Sequence, residues 1–135
     1  MGESTDYDWG IKIEMATILF VDDDPFTLET LKKSVLLFGH EVVLANSGGE
    51  ALTLAVTRSP DLIMTDVQLS DMDGLTLVKY LQLDAKTKDI AVVVLSASVE
   101  MDIAELARSA GAKDFLSKPV RLNTLQEVIQ RYTRG

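Results

Sequence analysis

Three acidic side chains have the positions expected of a metal-dependent site. Asp22 and Asp23 come directly after an apolar run at residues 18–21, and a second run at residues 62–64 leads into Asp66. Three carboxylates ~5 Å apart repel one another by roughly 3 kcal/mol per pair at an effective dielectric constant of ~20. Either some of them protonate or a cation joins them, and an all-oxygen set with few ligands suits Mg²⁺, which retains several waters. The sequence therefore predicts a magnesium site if the two runs are neighbouring strands.

A hydroxyl and an ammonium group follow two later apolar runs. Ser96 comes after residues 90–95, and Lys118 follows the short run that includes Phe115. With a divalent cation cancelling negative charge, a carboxylate becomes a usable nucleophile towards an anionic phosphoryl donor. Lys118 and Ser96 would then contact the phosphoryl oxygens, the lysine as a point charge and the serine as a hydrogen-bond donor.

Other polar residues near these runs are better explained by local structure. Asp24 directly precedes Pro25, the pairing typical of an N-cap followed by the first helical residue. Asp71 and Asp73 lie in a turn-rich segment and are interpreted as turn and cap residues. His40 is the only histidine and follows the end of the first helix, away from the strand ends. We expect it to be a solvated loop residue and predict no histidine-based catalytic or metal site.

Alternating strand and helix patterns position the candidate site. Five apolar runs alternate with five segments of helical period, and Ser47 opens the second helix with an S-x-x-E capping-box spacing. The apolar positions that the fourth helix is expected to bury are Ile103, Leu106, Ala107 and Ala110. Strands that are apolar on both faces indicate a parallel sheet covered by helices on both sides. Right-handed crossovers then favour a flavodoxin-like, doubly wound (βα)5 α/β fold with strand order 2-1-3-4-5, in which strands one and three are neighbours.

Composition narrows the class of protein. The 135 residues are 47% hydrophobic, which predicts one globular domain, and they include no cysteine, which excludes thiol catalysis and zinc ribbons. A net charge of −8 argues against direct binding to nucleic acid or an anionic membrane. No apolar run approaches the ~18 residues of a membrane span. We expect a cytoplasmic protein with a mobile leader at residues 1–15 and the folded domain at residues 16–134.

From about Thr17 to Tyr132 the chain resembles the receiver domain of two-component response regulators, the CheY-like family. Five segments carry the resemblance, each weak alone but specific together in this order and at this spacing. They are residues 18–25 (ILFVDDDP), 61–66 (DLIMTD), 72–74 (MDG), 94–97 (VLSA) and 110–119 (AGAKDFLSKP).

The resemblance implies a role for each acidic residue. Asp66 would be the phosphoacceptor, which attacks the phosphohistidine of a sensor histidine kinase and becomes an aspartyl phosphate. Asp23 would bind Mg²⁺ directly and Asp22 largely through water. Gln68, two residues past the acceptor, would supply a backbone carbonyl to the metal.

The resemblance also implies roles for residues of the last two strands. Ser96 resembles the switch hydroxyl that moves towards the phosphoryl group, and Phe115 the switch aromatic that turns inward after it. Lys118 is similar to the lysine that pairs with the phosphoryl oxygens, and its bond to Pro119 is usually cis in the family. One departure is Ser70, which stands where a proline is common, so the loop after the acceptor is expected to be less rigid.

The implied function is a signalling switch whose only turnover is its own dephosphorylation, rather than an enzyme. Phosphorylation would add charge at the strand ends and bias the surface formed by the fourth helix, fifth strand and fifth helix. The implied partners are a sensor histidine kinase or phosphotransfer protein, an output domain or downstream protein on that surface, and a second copy in a homodimer. This domain is not expected to contact nucleic acid or a membrane.

Two alternative functions stay open at this stage. Haloacid-dehalogenase-like phosphatases also use aspartate and Mg²⁺, but their D-x-D-x-T motif needs a threonine where Phe26 stands, and its second aspartate would be Asp24. A degenerate receiver that acts as a constitutive dimerisation module is the other alternative. A flavodoxin-like nucleotide-binding protein is disfavoured because no glycine-rich loop follows the first strand.

Overall fold

The computed structural model describes residues 15–97 and 101–133, and within these ranges five strands alternate with five helices. The strands are β1 (Thr17–Val21), β2 (Glu41–Ala45), β3 (Leu62–Asp66), β4 (Ala91–Ser96) and β5 (Asp114–Ser117). The helices are α1 (Pro25–Leu37), α2 (Gly48–Arg58), α3 (Gly74–Leu83), α4 (Met101–Ala110) and α5 (Leu122–Thr133). Every strand pairing is parallel and the order is β2-β1-β3-β4-β5. The predicted flavodoxin-like fold is confirmed.

Strand register brings the chemically active residues to one edge of the sheet. Val21 pairs with Thr65, so the residue after β1 and the last residue of β3 lie side by side. Asp66 in turn pairs with Leu95, and Ser96 pairs with Ser117. The direction of strand succession reverses at β1, and ligands of such sheets bind outside the carboxyl ends at that point.

Each central strand contributes to two separate apolar layers. Leu19 and Val21 face the layer under α2, α3 and α4, whereas Ile18 and Phe20 face the layer under α1 and α5. This division follows from the alternation of side chains along a strand. Because β1, β3 and β4 are buried on both faces, the strand ends that carry the site rest on the most rigid part of the fold.

The helix boundaries follow their capping signals. Asp24 is the N-cap of α1 with Pro25 at the first helical position, and Gly39 follows that helix with a positive φ of 89°. Ser47 caps α2 by accepting a hydrogen bond from the Glu50 amide at 3.1 Å. The Glu50 carboxylate bonds back to the amide of Asn46, one residue before the cap, so the capping box is present with its return bond shifted by one residue.

Two expectations from the sequence were wrong. Leu106 was expected to be buried by α4 but is 52% exposed. The helix packs against α3 and β5, and the small residues Ala107 and Ala110 are buried there. His40 is half-buried rather than solvated, because its Nδ1 accepts a hydrogen bond from the Ala16 amide at 3.0 Å, just before β1.

The predicted leader at residues 1–15 lies almost wholly outside the described residues, of which Met15 is the first. Within the described ranges, no helix has the length and apolar character needed to cross a bilayer.

Truncation of a buried side chain on α5 tests how much that helix stabilises the sheet. Ile129 is fully buried in the layer shared with α1, whereas Leu122 on the same helix is 57% exposed. We expect Ile129→Ala to lower the free energy of unfolding by about 3 kcal/mol, because a methylene cavity opens in a close-packed layer. Leu122→Ala is the matched control and should change it by less than about 0.5 kcal/mol. Urea denaturation measures both, and equal effects would contradict this account of the core.

The buried environment of His40 predicts a pH-dependent stability. Burial lowers the pKa of His40 from its ordinary value of 6.5, against the opposing attraction of Asp61. The unfolded chain therefore binds the proton more readily, so this contribution to stability is complete above the ordinary pKa and is lost as the pH falls through it. We expect acidification from about pH 7.5 to about pH 5.5 to destabilise the wild type more than His40→Asn.

His40→Asn is the appropriate variant because the asparagine carbonyl accepts a hydrogen bond and does not titrate. Denaturation curves across this pH range measure the difference between the two proteins. Parallel pH profiles would show that the His40 imidazole does not contribute.

Candidate functional site

The predicted acidic residues converge at the carboxyl end of β1 and β3. One carboxylate oxygen each from Asp22, Asp23 and Asp66 lies within 4.8 Å of the others. Asp22 is 3% exposed, Asp66 is half-buried and Asp23 is exposed, so the cluster opens towards solvent on one side. Carboxylate oxygens at this spacing form a donor set suited to a hard divalent cation such as Mg²⁺.

Lys118 supplies the positive charge of the cluster. Its Nζ donates hydrogen bonds to Asp22 Oδ2 at 2.8 Å and to Asp66 Oδ2 at 3.1 Å. Burial by itself lowers the pKa of Lys118, but the hydrogen bonds to these two carboxylates outweigh it and hold the pKa above its usual value. The lysine is therefore a permanent cation that offsets part of the repulsion among the acids.

Backbone contacts fix the lysine on the rim of the sheet. The Lys118 amide donates to the Ser96 carbonyl at 2.8 Å, which attaches the loop after β5 to the end of β4. The peptide bond between Lys118 and Pro119 is cis, as the resemblance implied.

Asp22 has both carboxylate oxygens occupied by hydrogen bonds. Oδ1 accepts from the Asp24 amide at 2.9 Å and Oδ2 accepts from Lys118. Its own amide donates to the Ala45 carbonyl at the end of β2, at 3.1 Å. The position of Asp22 is thus set by the residue that caps α1, by the end of β2 and by the loop after β5.

Asp66 sits where the chain folds back tightly on itself. The Gly74 amide donates to the Val67 carbonyl at 2.6 Å, and a Cβ on Gly74 would overlap the Asp66 carbonyl oxygen. Only glycine fits this close approach of two backbone segments. In the side chain of Asp66, Oδ1 accepts a hydrogen bond from the Gln68 amide at 3.4 Å. The carboxylate is therefore oriented by Lys118 on one oxygen and by its own loop on the other.

The remaining predicted residues surround this cluster. Ser96 is buried at the end of β4, next to β3. Gln68 is exposed in the loop after Asp66 and forms an isolated antiparallel bridge with Asp73. Phe115 on β5 is partly buried against the layer under α4. Ser96 and Gln68 therefore lie at the carboxyl edge of the sheet, whereas Phe115 lies two residues before the end of β5.

The carboxylates assigned to caps are engaged outside the cluster. Asp24 accepts from the Thr27 hydroxyl at 2.7 Å and the Phe26 amide at 3.2 Å, and these bonds lower the pKa of Asp24. Asp73 caps α3 by accepting from the Leu75 amide at 2.7 Å. The interpretation of both residues as caps is confirmed.

Asp71 has a partner that sequence reasoning missed. Its two carboxylate oxygens accept from the amides of Gly48 and Gly49 at 2.8 Å each, so it caps α2 from the loop after β3. These two bonds lower the pKa of Asp71. The first amides of α2, like those of any helix, have no partner within the helix, and the glycine pair after Ser47 adds no side chain that would block an outside acceptor.

An apolar groove adjoins the cluster and was also not anticipated. It has a volume of about 450 Å³ and runs between the start of α1 and the loop after β5. Phe26, which is 78% exposed, lines it together with Leu95, Lys118 and Pro119. Lys118, which donates to the cluster, is therefore also part of an accessible apolar surface.

Removal of the lysine tests its role as the counter-charge. We expect Lys118→Met to lower the free energy of unfolding by about 3 kcal/mol without metal, because Asp22 is left buried among like charges. Added Mg²⁺ should stabilise this variant more than the wild type, since a more negative cluster binds the cation more tightly. Urea denaturation with and without Mg²⁺ measures both effects.

Arg58→Met is the matched control, because it removes an exposed ion pair of 3.3 Å with Glu41, remote from the cluster. This variant should lower the free energy of unfolding by less than about 1 kcal/mol and leave the stabilisation by Mg²⁺ unchanged. An equal gain from Mg²⁺ in Lys118→Met and the wild type would contradict the role assigned to the lysine.

Comparison with known proteins agrees with this geometry. The family described as response regulator receiver domain matches residues 18–130. Protein PilH of Pseudomonas aeruginosa is 31% identical over 121 residues, which cover 90% of this chain and 100% of PilH. The structure of chemotaxis protein CheY4 of Vibrio cholerae superposes with a TM-score of 0.83 at 28% identity, covering 88% of this chain and 99% of that one.

A magnesium-bound structure is also similar to this chain. The receiver domain of sensor histidine kinase PA1611 from Pseudomonas aeruginosa, with a magnesium ion coordinated in its active-site cleft, has a TM-score of 0.82 at 25% identity. The similarity covers 89% of this chain and 98% of that one. With an acidic cluster at the strand ends and a family match over most of its length, the chain belongs to the response regulator receiver domain family and is a CheY-like receiver domain of two-component signalling.

Proposed function

We propose that Asp66 is the phosphoacceptor of this receiver domain. The observation that carries the proposal is the Lys118 ammonium, which bridges Asp22 and Asp66 inside a cluster of three carboxylates. In the transfer, an Asp66 oxygen attacks the phosphorus of a phosphohistidine. The new O–P bond forms as the N–P bond breaks, and the electron pair of the broken bond leaves with the imidazole nitrogen.

Lys118 and Ser96 stabilise the transferred group. The ammonium already donates to the attacking carboxylate, so it needs only a small shift to donate to a phosphoryl oxygen attached there. Ser96 lies at the end of the neighbouring strand and acts as the switch hydroxyl for a second phosphoryl oxygen. The bond between the Lys118 amide and the Ser96 carbonyl holds together the two backbone segments that carry these side chains.

The chain's own ligands for Mg²⁺ are Asp23, Asp66 and the Gln68 carbonyl, with Asp22 acting largely through water. The exposed side chain of Asp23 supports a direct contact, and the hydrogen bonds on both oxygens of Asp22 support an indirect one. When bound, the cation cancels charge on the carboxylate nucleophile and on the phosphoryl donor.

The output is a change of the surface formed by α4, β5 and α5. Phe115 is the switch aromatic, and its partial burial on β5 supports a side chain with room to turn inward. Leu106 of α4 and Leu122 of α5 are large apolar side chains that are exposed on two of these elements. A downstream protein, an output domain or a second copy of the chain binds there.

As a receiver domain, the chain has a histidine kinase as its implied partner, and such domains are usually not enzymes beyond their own phosphorylation chemistry. The finer proposal is that a sensor kinase or a phosphotransfer protein donates to Asp66, that self-dephosphorylation is the only turnover, and that the protein acts in the cytoplasm. The proposed domain boundaries are a leader at residues 1–15 and the receiver domain at residues 16–134. The net charge of −8 disfavours direct contact with nucleic acid or an anionic membrane.

The phosphatase alternative is disfavoured by Asp24. In a haloacid-dehalogenase-like enzyme this residue would be the general acid, but its carboxylate caps α1 through Phe26 and Thr27. The degenerate receiver is disfavoured because the three acids and Lys118 are brought together.

The phosphoacceptor is tested by mass spectrometry of the intact protein after incubation with acetyl phosphate. We expect a gain of about one phosphoryl group that requires Mg²⁺ and is absent in Asp66→Asn. Asp24→Asn is the matched control, because it changes a carboxylate near the cluster that serves as a cap, and it should still be labelled.

Labelling of Asp66→Asn to the wild-type extent would refute the assignment. A folded wild type that binds Mg²⁺ without gaining a phosphoryl group would favour the degenerate receiver. Multiple turnover on phosphoesters would favour the phosphatase.

A further inference from the structure

The loop that follows Asp66 is attached to a different helix by a carboxylate with two bonds. In the β3–α3 loop (residues 67–73), the oxygens of Asp71 accept from the Gly48 and Gly49 amides at 2.8 Å each. These amides belong to the first turn of α2 and have no partner within their own helix. The positive end of the helix favours a negative charge at this position.

The next residue adds a packing contact to the same place. A Cβ on Gly48 would lie 2.5 Å from Met72 Cγ, so the methionine side chain occupies the space above that glycine. Asp71 and Met72 therefore fix the loop to the start of α2 by hydrogen bonds and by van der Waals contact together.

Gln68 lies between this attachment and the strand. The loop is closed at its base by the bond from the Gly74 amide to the Val67 carbonyl and by the bridge between Gln68 and Asp73. Residues 67–73 contain neither proline nor glycine, so their stiffness depends on contacts and not on a restricted backbone. The two bonds to Asp71 attach the part of the loop beyond this base to α2.

The segment before α2 also holds the other side of the acidic cluster. The Asp22 amide donates to the Ala45 carbonyl at 3.1 Å, three residues before Gly48. The segment 45–49 therefore links the acid that follows β1 to the loop that follows Asp66. A displacement of the loop from α2 would therefore move Gln68 relative to the acids at the strand ends.

We propose that Asp71 is a positioning residue for the magnesium site: by fixing the β3–α3 loop to the first turn of α2, its carboxylate holds the Gln68 carbonyl where the cation takes it as a ligand. The inference rests on the proposed function of the acidic cluster as a Mg²⁺ site. Asp71 itself does not contact the cation.

The test is calorimetric titration of Mg²⁺ into the unphosphorylated full chain. We expect Asp71→Ala to raise the dissociation constant about threefold, less than the roughly tenfold loss that follows removal of a group bonded directly to a metal ligand, because Asp71 acts on Gln68 only through the loop. Asp71→Asn loses the same negative charge but keeps one acceptor oxygen for one of the two amides, so its dissociation constant should lie between those of the wild type and Asp71→Ala.

Ser47→Ala is the control for helix stability, because it removes another cap of α2, the bond from the Glu50 amide at 3.1 Å, without touching the loop. It should lower Tm about as much as Asp71→Ala and leave Mg²⁺ binding unchanged. A loss of affinity in Ser47→Ala as large as in Asp71→Ala would overturn the inference, since helix fraying would then be the cause.

Equal affinities for Asp71→Ala and Asp71→Asn would also overturn it, because charge alone would then account for the effect. The titration does not depend on phosphoryl transfer. A wild type that binds Mg²⁺ but is never phosphorylated on Asp66 would refute the proposed function while the calorimetry still decided the role of Asp71. A wild type that binds no Mg²⁺ would refute the inference directly.

Discussion

Mutual repulsion among three carboxylates at the end of a parallel sheet is the constraint on which the rest of this structure depends. Asp22, Asp23 and Asp66 are brought together by strand register, and no arrangement of the backbone alone makes their proximity favourable. The Lys118 ammonium offsets part of the repulsion in the protein without metal. One lysine against three acids leaves the cluster with a net negative charge, and this charge attracts a divalent cation. Several basic side chains would neutralise the cluster and remove that attraction.

Holding such a cluster requires rigid support from several directions. The acids rest on strands whose side chains are buried on both faces, so their backbone positions are set by the two apolar layers. Side-chain orientation is then set by local bonds, such as the Asp24 amide on Asp22 and the tight return of the chain at Gly74. The chain from the end of β2 to the start of α2 supports both sides of the site. Its Ala45 carbonyl accepts from the Asp22 amide, and its Gly48 amide donates to Asp71 in the loop after Asp66.

The features that could be predicted from the sequence are those that depend on hydrophobic periodicity and on which residues end the strands. The alternation of apolar runs and helical segments was enough for the strand order, and the order was enough to bring Asp22 and Asp66 together, because parallel strands end at the same edge. Contacts between distant loops could not be read in this way. Asp71 was interpreted correctly as a cap, but its helix lies 22 residues earlier in the chain. Leu106 and His40 were misjudged because helical period and loop position do not reveal which neighbour covers a side chain.

The burial of β5 has a consequence for how such a domain changes shape. The central strands are almost wholly buried, whereas β5 is an edge strand of four residues, three partly buried and one exposed. Hydrogen-bonded segments with little apolar cover open locally at low free energy, so slow amide exchange should concentrate in the centre of the sheet and fade towards this edge. The strand that carries Phe115 and precedes Lys118 is thus the one that can rearrange at least expense to the core. The buried strands that end at the acids and the edge strand that leads to Lys118 thus differ in how readily they open, although all of them border one cluster.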